Sequence, residues 1–143
     1  MDRRIGIARG LISFTAAFLA IVPPLADLNE SHIFHPEWTG HARLHTMWLL
    51  GTNSLICIVA LYWMWTARRE ELVGAMRRGT LLVACVLAGF FIAAGTQSLY
   101  GGTLTDVGGV SVQAGSIDAN LAAFSVHSCI VAAVVYLIRG ADD

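Results

Sequence analysis

The sequence predicts an all-α integral membrane protein whose four transmembrane helices form an up-down-up-down bundle with both termini in the cytoplasm. Three observations carry this prediction. Apolar residues make up 56% of the chain, charged residues only 13%, and the mean hydropathy is +0.65. Four apolar segments are long enough to cross a bilayer, and the arginines cluster on one predicted side. Residues 1–143 are therefore expected to form a single domain in a membrane, with the bacterial inner membrane as the predicted location.

The four predicted spans are residues 5–25, 44–65, 79–100 and 117–138. Each satisfies the requirement of about 20 mostly apolar residues per membrane helix. The first span follows several arginines, as a signal peptide would, but Pro23 and Pro24 stand where a small-residue cleavage site is required. We therefore expect a retained helix. Short connections make consecutive helices antiparallel neighbours, which predicts the bundle.

The orientation follows from the basic residues, all nine of which are arginine. They precede the first span, separate the second from the third, and follow the fourth, so the positive-inside rule predicts a cytoplasmic location for both termini and the middle loop. Arg43 is the exception, because it begins the second span on the outer side. We expect it to pair with a carboxylate such as Glu37 or Asp118.

Charge and cysteine content exclude other classes of protein. A net charge of -1 provides no basic surface for nucleic acid, and we exclude that partner. The three cysteines fall in three different predicted helices, which favours simple side-chain packing over a disulfide or redox motif. The glycine-rich residues 101–116 predict a small hairpin or lid over the outer end.

Four of the five histidines lie at or just before the second span. In a helix, Glu37, His41 and His45 follow one another at i, i+4 and i+8 and share one side. Ionisable groups at membrane depth are costly and are candidates for function. Two histidines at i and i+4 are also spaced as metal ligands, so copper or zinc is one prediction, with Glu37 or Asp118 completing the site.

Polar residues also occur in the outer half of the other predicted helices. Because lipid exposure of so many polar groups is expensive, we expect them to line an inward-facing cavity. A small-residue ridge on the third helix predicts either close helix packing or room for a cofactor or substrate. The cavity residues are His41, Arg43, His45, Gln97, Tyr100, Asp118, Asn120 and His127, and the ridge residues are Gly89, Ala93, Gln97 and Gly101.

Haem is the second cofactor that the sequence predicts. It requires one axial histidine in an apolar pocket with small residues against the macrocycle. His45 is the preferred ligand, and His127 would join it only if the helix boundaries shifted by a turn. A five-coordinate haem on one histidine would avoid that shift, and its open face would be available to a substrate oxygen as a Lewis acid. The predicted cofactor-binding residues are His45, Arg43, His41 and His127.

The segment Ala42-Arg43-Leu44-His45, with Trp38 upstream and Tyr100 near the end of the third helix, resembles the styrene oxide isomerase family. These are small four-helix membrane proteins in which the histidine of an Ala-Arg-x-His segment binds haem b. The resemblance covers the topology of the whole chain and its residues only locally. This chain has His41 in addition, and Gly51 stands where the family has an active-site asparagine, with Asn53 as a substitute.

The resemblance implies rearrangement of a small hydrophobic epoxide to a carbonyl compound, with ferric haem b on His45 as the Lewis acid. It implies that Tyr100, with Asn53 or Gln97, holds the substrate oxygen, and that Asp118 or Asn120 stabilises the developing cation. It also implies a homo-oligomer. The protein would orient the substrate and exclude water.

Two other functions are compatible with the same residues. One is a b-type cytochrome or an accessory or structural subunit of a membrane oxidoreductase complex, which would use His45 together with His127 or His41. The other is binding of copper or zinc at the outer membrane face through His41, His45 and Glu37.

Overall fold

The computed structural model describes residues 2–104, 113–114, 117–139 and 141, and it is all-helical apart from one short strand pair. Short 3₁₀ turns, Arg69–Glu71 and Gln97–Leu99, flank the third helix. Each α-helix is long and apolar enough to span a membrane, which agrees with the four predicted spans. The helices are α1 (Arg3–Asp27), α2 (Gly40–Thr66), α3 (Leu72–Thr96) and α4 (Ala119–Ile138).

Side-chain caps explain where three of these helices begin. Asp2 accepts a hydrogen bond from the Arg4 amide at 2.9 Å, and Thr39 accepts one from the Ala42 amide at 3.2 Å. Asp118 caps α4 in the same way. Such caps satisfy amides that have no partner within the helix. Because Thr39 caps α2, the helix begins at Gly40, before the predicted residue 44.

Helix α1 continues through Pro23 and Pro24, although proline has no amide hydrogen to donate. The carbonyl of Ala20 therefore loses the donor that Pro24 would otherwise supply. The Ser54 hydroxyl of α2 donates to that carbonyl at 2.9 Å. A hydrogen bond between helices thus replaces one that the sequence removes, and α1 reaches Asp27.

The four helices enclose a narrow apolar core. Helix α1 packs against the other three, and α3 packs against α2 and α4, whereas the backbones of α2 and α4 do not approach closely over the described residues. Gly79 lets α2 and α3 approach closely, because a Cβ there would lie 3.1 Å from the Met64 side chain and 3.3 Å from the Ala60 carbonyl oxygen. The largest buried side chains include Ile12, Leu19, Met64, Met76, Val83 and Val134.

The connection between α3 and α4 contains a short antiparallel ladder of β1 (Gln113–Ala114) and β2 (Ile117–Asp118). This ladder agrees with the predicted hairpin, although residues 105–112 and 115–116 lie outside the described residues. After α3 the chain turns at Gly101, whose φ of +71° favours glycine. The Gly102 amide then donates to the Gln97 carbonyl at 2.8 Å.

Candidate histidine site

His41 and His45 form a pair in the first turns of α2. Their Nε2 atoms lie 3.0 Å apart, and their rings meet edge to face with centroids 4.4 Å apart. The spacing of four residues produces this contact, since such side chains lie above one another on a helix. At this distance the Nε2–H of one imidazole donates to the Nε2 of the other. The same two atoms could instead face one ligand.

Both imidazoles are exposed. The indole of Trp48 lies one turn farther along, 5.9 Å from the His45 ring centre, and is itself 67% exposed. Leu44 beside the pair is also exposed. The pair therefore stands on an apolar, accessible helix face, and the expectation that His41 and His45 point into an inward-facing cavity is wrong for the single chain.

Arg43 lies beside the pair and faces the loop before α2. Its guanidinium donates to the His35 carbonyl at 2.8 Å, so a backbone oxygen takes the place of the predicted carboxylate. Glu37 is exposed, and its amide donates to Nδ1 of His35 at 3.3 Å. Over the described residues, no three histidine, cysteine or acidic side chains lie close enough together to hold a metal ion.

His127 lies apart from this pair, inside the bundle. Its Nδ1 is 3.0 Å from the Thr15 hydroxyl, and its ring lies 4.1 Å from that of Phe18 and 5.6 Å from that of Phe14. All three neighbours belong to α1. His127 is therefore enclosed against α1, whereas His45 is exposed on α2, and the two imidazoles do not face one another across a shared haem site.

Gln97 and Tyr100 lie at the end of α3 and serve the local fold. The Gln97 carbonyl accepts hydrogen bonds that close the turn after the helix. The Tyr100 hydroxyl donates to the Ala93 carbonyl at 2.7 Å, while its ring is 62% exposed. Tyr100 is thus held against its own helix and does not point into a cavity.

Asp118 and Asn120 mark the start of α4. One carboxylate oxygen of Asp118 accepts from the amides of Asn120 and Leu121 at 2.8 and 3.1 Å. The Asn120 side chain is exposed and donates to the Leu104 carbonyl at 3.4 Å. Asp before an apolar helix is a typical N-cap, a signal the sequence already carried.

Asn53 lines a cavity of about 410 Å³ between the helices. The walls are mostly apolar, and Gly89 and Ala93 of the predicted ridge contribute to them. Asp27 is a second polar lining residue. Two ridge residues therefore border a space large enough for a small hydrophobic molecule, but Gln97 and Tyr100, beside which that space was expected, are not among its walls.

Two features of the interior were not anticipated from sequence. Thr15 is fully buried and holds His127, and Asp27 faces the Asn53 cavity and lies 3.9 Å from Nε2 of His32. The contact of Thr15 with His127 had a signal in the sequence, because Thr15 is a polar residue in the middle of an apolar span. The position of Asp27 at this cavity could not be predicted, because it depends on how the helices pack against one another.

A haem ligand needs an accessible imidazole next to apolar surface, and His45 provides both. His41 and His45 project from the same side of α2, so His41 cannot bind the haem face opposite to the one that His45 binds. A tetrahedral zinc ion places two bound nitrogens about 3.3 Å apart, near the separation of the His41 and His45 nitrogens. The pair thus fits a single-histidine haem or a metal ion with further ligands.

Comparison with known proteins adds no relative to this description. No protein-family model, curated protein or solved structure matches this chain.

Proposed function

We propose that this protein is a membrane isomerase that converts a small hydrophobic epoxide to a carbonyl compound with haem b bound through His45. The observation that carries the proposal is the accessible His45 imidazole on an apolar face of α2, directly after Ala42-Arg43-Leu44. When bound, ferric haem would supply a Lewis acid. The resemblance to styrene oxide isomerases supports the choice of reaction.

The chain's own residues would bind the substrate and keep water away. The cavity of about 410 Å³ is apolar enough for a small hydrophobic substrate, and Asn53 offers an amide to its oxygen. Exclusion of water favours rearrangement over hydrolysis to a diol. Tyr100, Gln97, Asp118 and Asn120 remain candidates for contact with substrate, although each now also has the local structural role described above.

We propose an up-down-up-down bundle in the bacterial inner membrane with both termini in the cytoplasm. Contacts between chain segments support the alternation: Arg9 near the start of α1 stacks 3.9 Å from the centre of the Trp65 ring near the end of α2. Arg78 in α3 lies 6.0 Å from the Trp63 ring centre. A reporter that works only in the cytoplasm should be active when fused to the C-terminus, and one that works only in the periplasm should be inactive. Activity of the periplasmic reporter would contradict the orientation.

We also propose that the protein is a homo-oligomer or a subunit of a membrane complex. His45 and Trp48 are exposed on one chain, and a haem bound there would need cover from lipid or from another subunit. The mass of the purified protein, after subtraction of detergent, tests this. A monomer that retains haem would contradict it.

The absorption spectrum of protein expressed in haem-replete cells tests the main proposal. Wild type should show a Soret band, and His45→Ala should lose it. His35→Ala is the matched control, since His35 lies in the loop before α2. Product analysis with an aryl or alkyl epoxide should then give aldehyde from wild type and none from His45→Ala. Absence of haem from wild type would overturn the haem assignment.

Copper or zinc binding is the second candidate function, and the 3.0 Å separation of the two Nε2 atoms favours it. A metal ion would use both imidazoles, whereas haem would use His45 alone. Calorimetric titration with Zn²⁺ and Cu²⁺ distinguishes the two. If His41→Ala abolishes metal binding and wild type carries no haem, the metal function is correct. If His41→Ala retains the Soret band, the isomerase proposal stands.

A further inference from the structure

A groove of about 350 Å³ runs between α3 and α4 from two arginines into apolar surface. On α3 its wall includes Arg77 and Leu81, which lie four residues apart on one helix side. Its other wall includes Val131 and Val135 of α4, four residues apart, and Arg139, the C-cap residue that follows this helix. The groove thus combines cationic and aliphatic side chains from both helices.

The two arginines lie at the same end of this groove. Farther along the same helices, a second apolar groove is lined by Phe91 of α3 and Ser128 of α4. Higher numbers on α3 therefore meet lower numbers on α4, so Arg77 and Arg139 are brought to one end. Both are exposed there, where a charged group from outside the chain can reach them.

Thr80 supplies an independent sign of a missing ligand. It lines the groove, is only 3% exposed, and its Oγ1 has no hydrogen-bond partner among the described residues. Three other helical threonines satisfy their hydroxyls by donating to the carbonyl four residues back. Thr46, Thr66 and Thr96 do so at 3.0, 2.7 and 2.7 Å.

A buried hydroxyl without a partner is unfavourable, because folding has removed it from water without replacing the hydrogen bond. An oxygen atom of a ligand in the groove would supply the missing partner. Arg77 and Arg139 select an anionic head group, and the valines and Leu81 select an acyl chain. Guanidinium groups match phosphate oxygens well, and basic grooves between membrane helices suit anionic lipid head groups.

We propose that this groove is a binding site for an anionic phospholipid. The phosphate lies between the guanidinium groups of Arg77 and Arg139, the Thr80 hydroxyl donates to a head-group or ester oxygen, and an acyl chain follows the apolar wall. Arg77 has another contact in the chain, but its five N–H donors leave capacity for a phosphate. The site is separate from His41 and His45 and does not depend on the proposed isomerase activity.

Native mass spectrometry of the full-length protein in detergent, titrated with phosphatidylglycerol and with phosphatidylcholine, tests the proposal. Phosphatidylglycerol should bind about tenfold more tightly. Arg77→Gln and Arg139→Gln should each weaken its binding about fivefold, the effect of losing about 1 kcal/mol per arginine. Thr80→Val, which keeps the shape and removes the hydroxyl, should weaken it about threefold, while Thr80→Ser should restore it.

Arg78→Gln is the matched control. Arg78 adjoins Arg77 in sequence but faces the Trp63 ring and does not line the groove. Circular dichroism and the elution volume should match wild type for every variant, and His45→Ala should bind lipid unchanged.

Three results would overturn the lipid assignment. If Arg78→Gln weakens the binding of phosphatidylglycerol as much as Arg77→Gln does, the lipid is attracted by the general positive charge of this end and not by the groove. If phosphatidylcholine binds equally well, the groove accepts acyl chains only. If inorganic phosphate displaces the lipid at equal concentration, the site binds a soluble anion.

Discussion

The histidines of α2 and the histidine of α4 occupy opposite environments in the same bundle. His41 and His45 are exposed and contact chiefly each other and Trp48. His127 is 4% exposed, with Thr15 on its Nδ1 and two phenylalanine rings against its face. A buried imidazole with a dedicated partner is arranged to hold helices together, whereas an exposed one is available to a ligand.

This difference separates two roles that residue type alone does not distinguish. Polar side chains in membrane helices hydrogen-bond across helices or mark functional sites. His127 belongs to the first group because α1 supplies its hydroxyl and aromatic partners. His45 belongs to the candidates for the second, since within the described part of the chain its imidazole has a hydrogen-bonding neighbour only in His41 of the same helix.

The largest expected effect is on stability at His127. His127→Ala should lower the free energy of unfolding by about 3 kcal/mol, because it leaves a cavity and an unpaired Thr15 hydroxyl. His45→Ala should change it by less than about 0.5 kcal/mol, because the side chain is exposed. Unfolding of ligand-free protein in mixed micelles measures both. Equal destabilisation by the two substitutions would remove the distinction between them.

Thr15→Val should have the next largest effect, about 1–2 kcal/mol, because it leaves Nδ1 of His127 buried without a partner. Combining it with His127→Leu should cost less than the sum of the two single substitutions, since neither polar group then remains unpaired. A double-mutant cycle in the same unfolding assay gives this coupling. Additive effects would show that the 3.0 Å contact contributes little.

The smallest effect concerns the aromatic neighbours of the two sites. Phe18→Leu should destabilise the protein by about 1 kcal/mol, because the ring contacts His127 with centroids 4.1 Å apart. Trp48→Leu beside His45 should leave stability nearly unchanged, since the indole is 67% exposed. Thermal unfolding in detergent compares them. A larger loss at Trp48 would indicate that the α2 face is covered by another subunit.

Much of the fold could be read from the sequence. Spans of about 20 apolar residues and the arginine clusters predicted four membrane helices, because the bilayer imposes length and composition directly. The boundaries were less accurate: α2 begins at Gly40 because Thr39 caps it, and α3 begins at Leu72, well before the predicted residue 79. These shifts depend on local capping and on short 3₁₀ turns that hydropathy does not register.

The candidate site was only partly predictable. The contact between His41 and His45 followed from helical spacing, because i and i+4 side chains meet on any α-helix. Spacing could not tell which side of α2 faces the bundle, and this is why the two histidines, Tyr100 and Asn120 were expected inside and are exposed. Likewise, the cap formed by Asp118 and the enclosure of His127 depend on neighbours supplied by the folded chain.

Thus the sequence alone determined that four helices are long and apolar enough to span a membrane, and that His41 pairs with His45, since each follows from composition or from periodicity within one segment. Only the tertiary structure decided which polar groups are buried, which are exposed, and that the Thr80 hydroxyl has no hydrogen-bond partner among the described residues in the groove lined by Arg77 and Arg139. The physical reason is that burial depends on the rotation and neighbours of each helix, and these are set by contacts between distant residues.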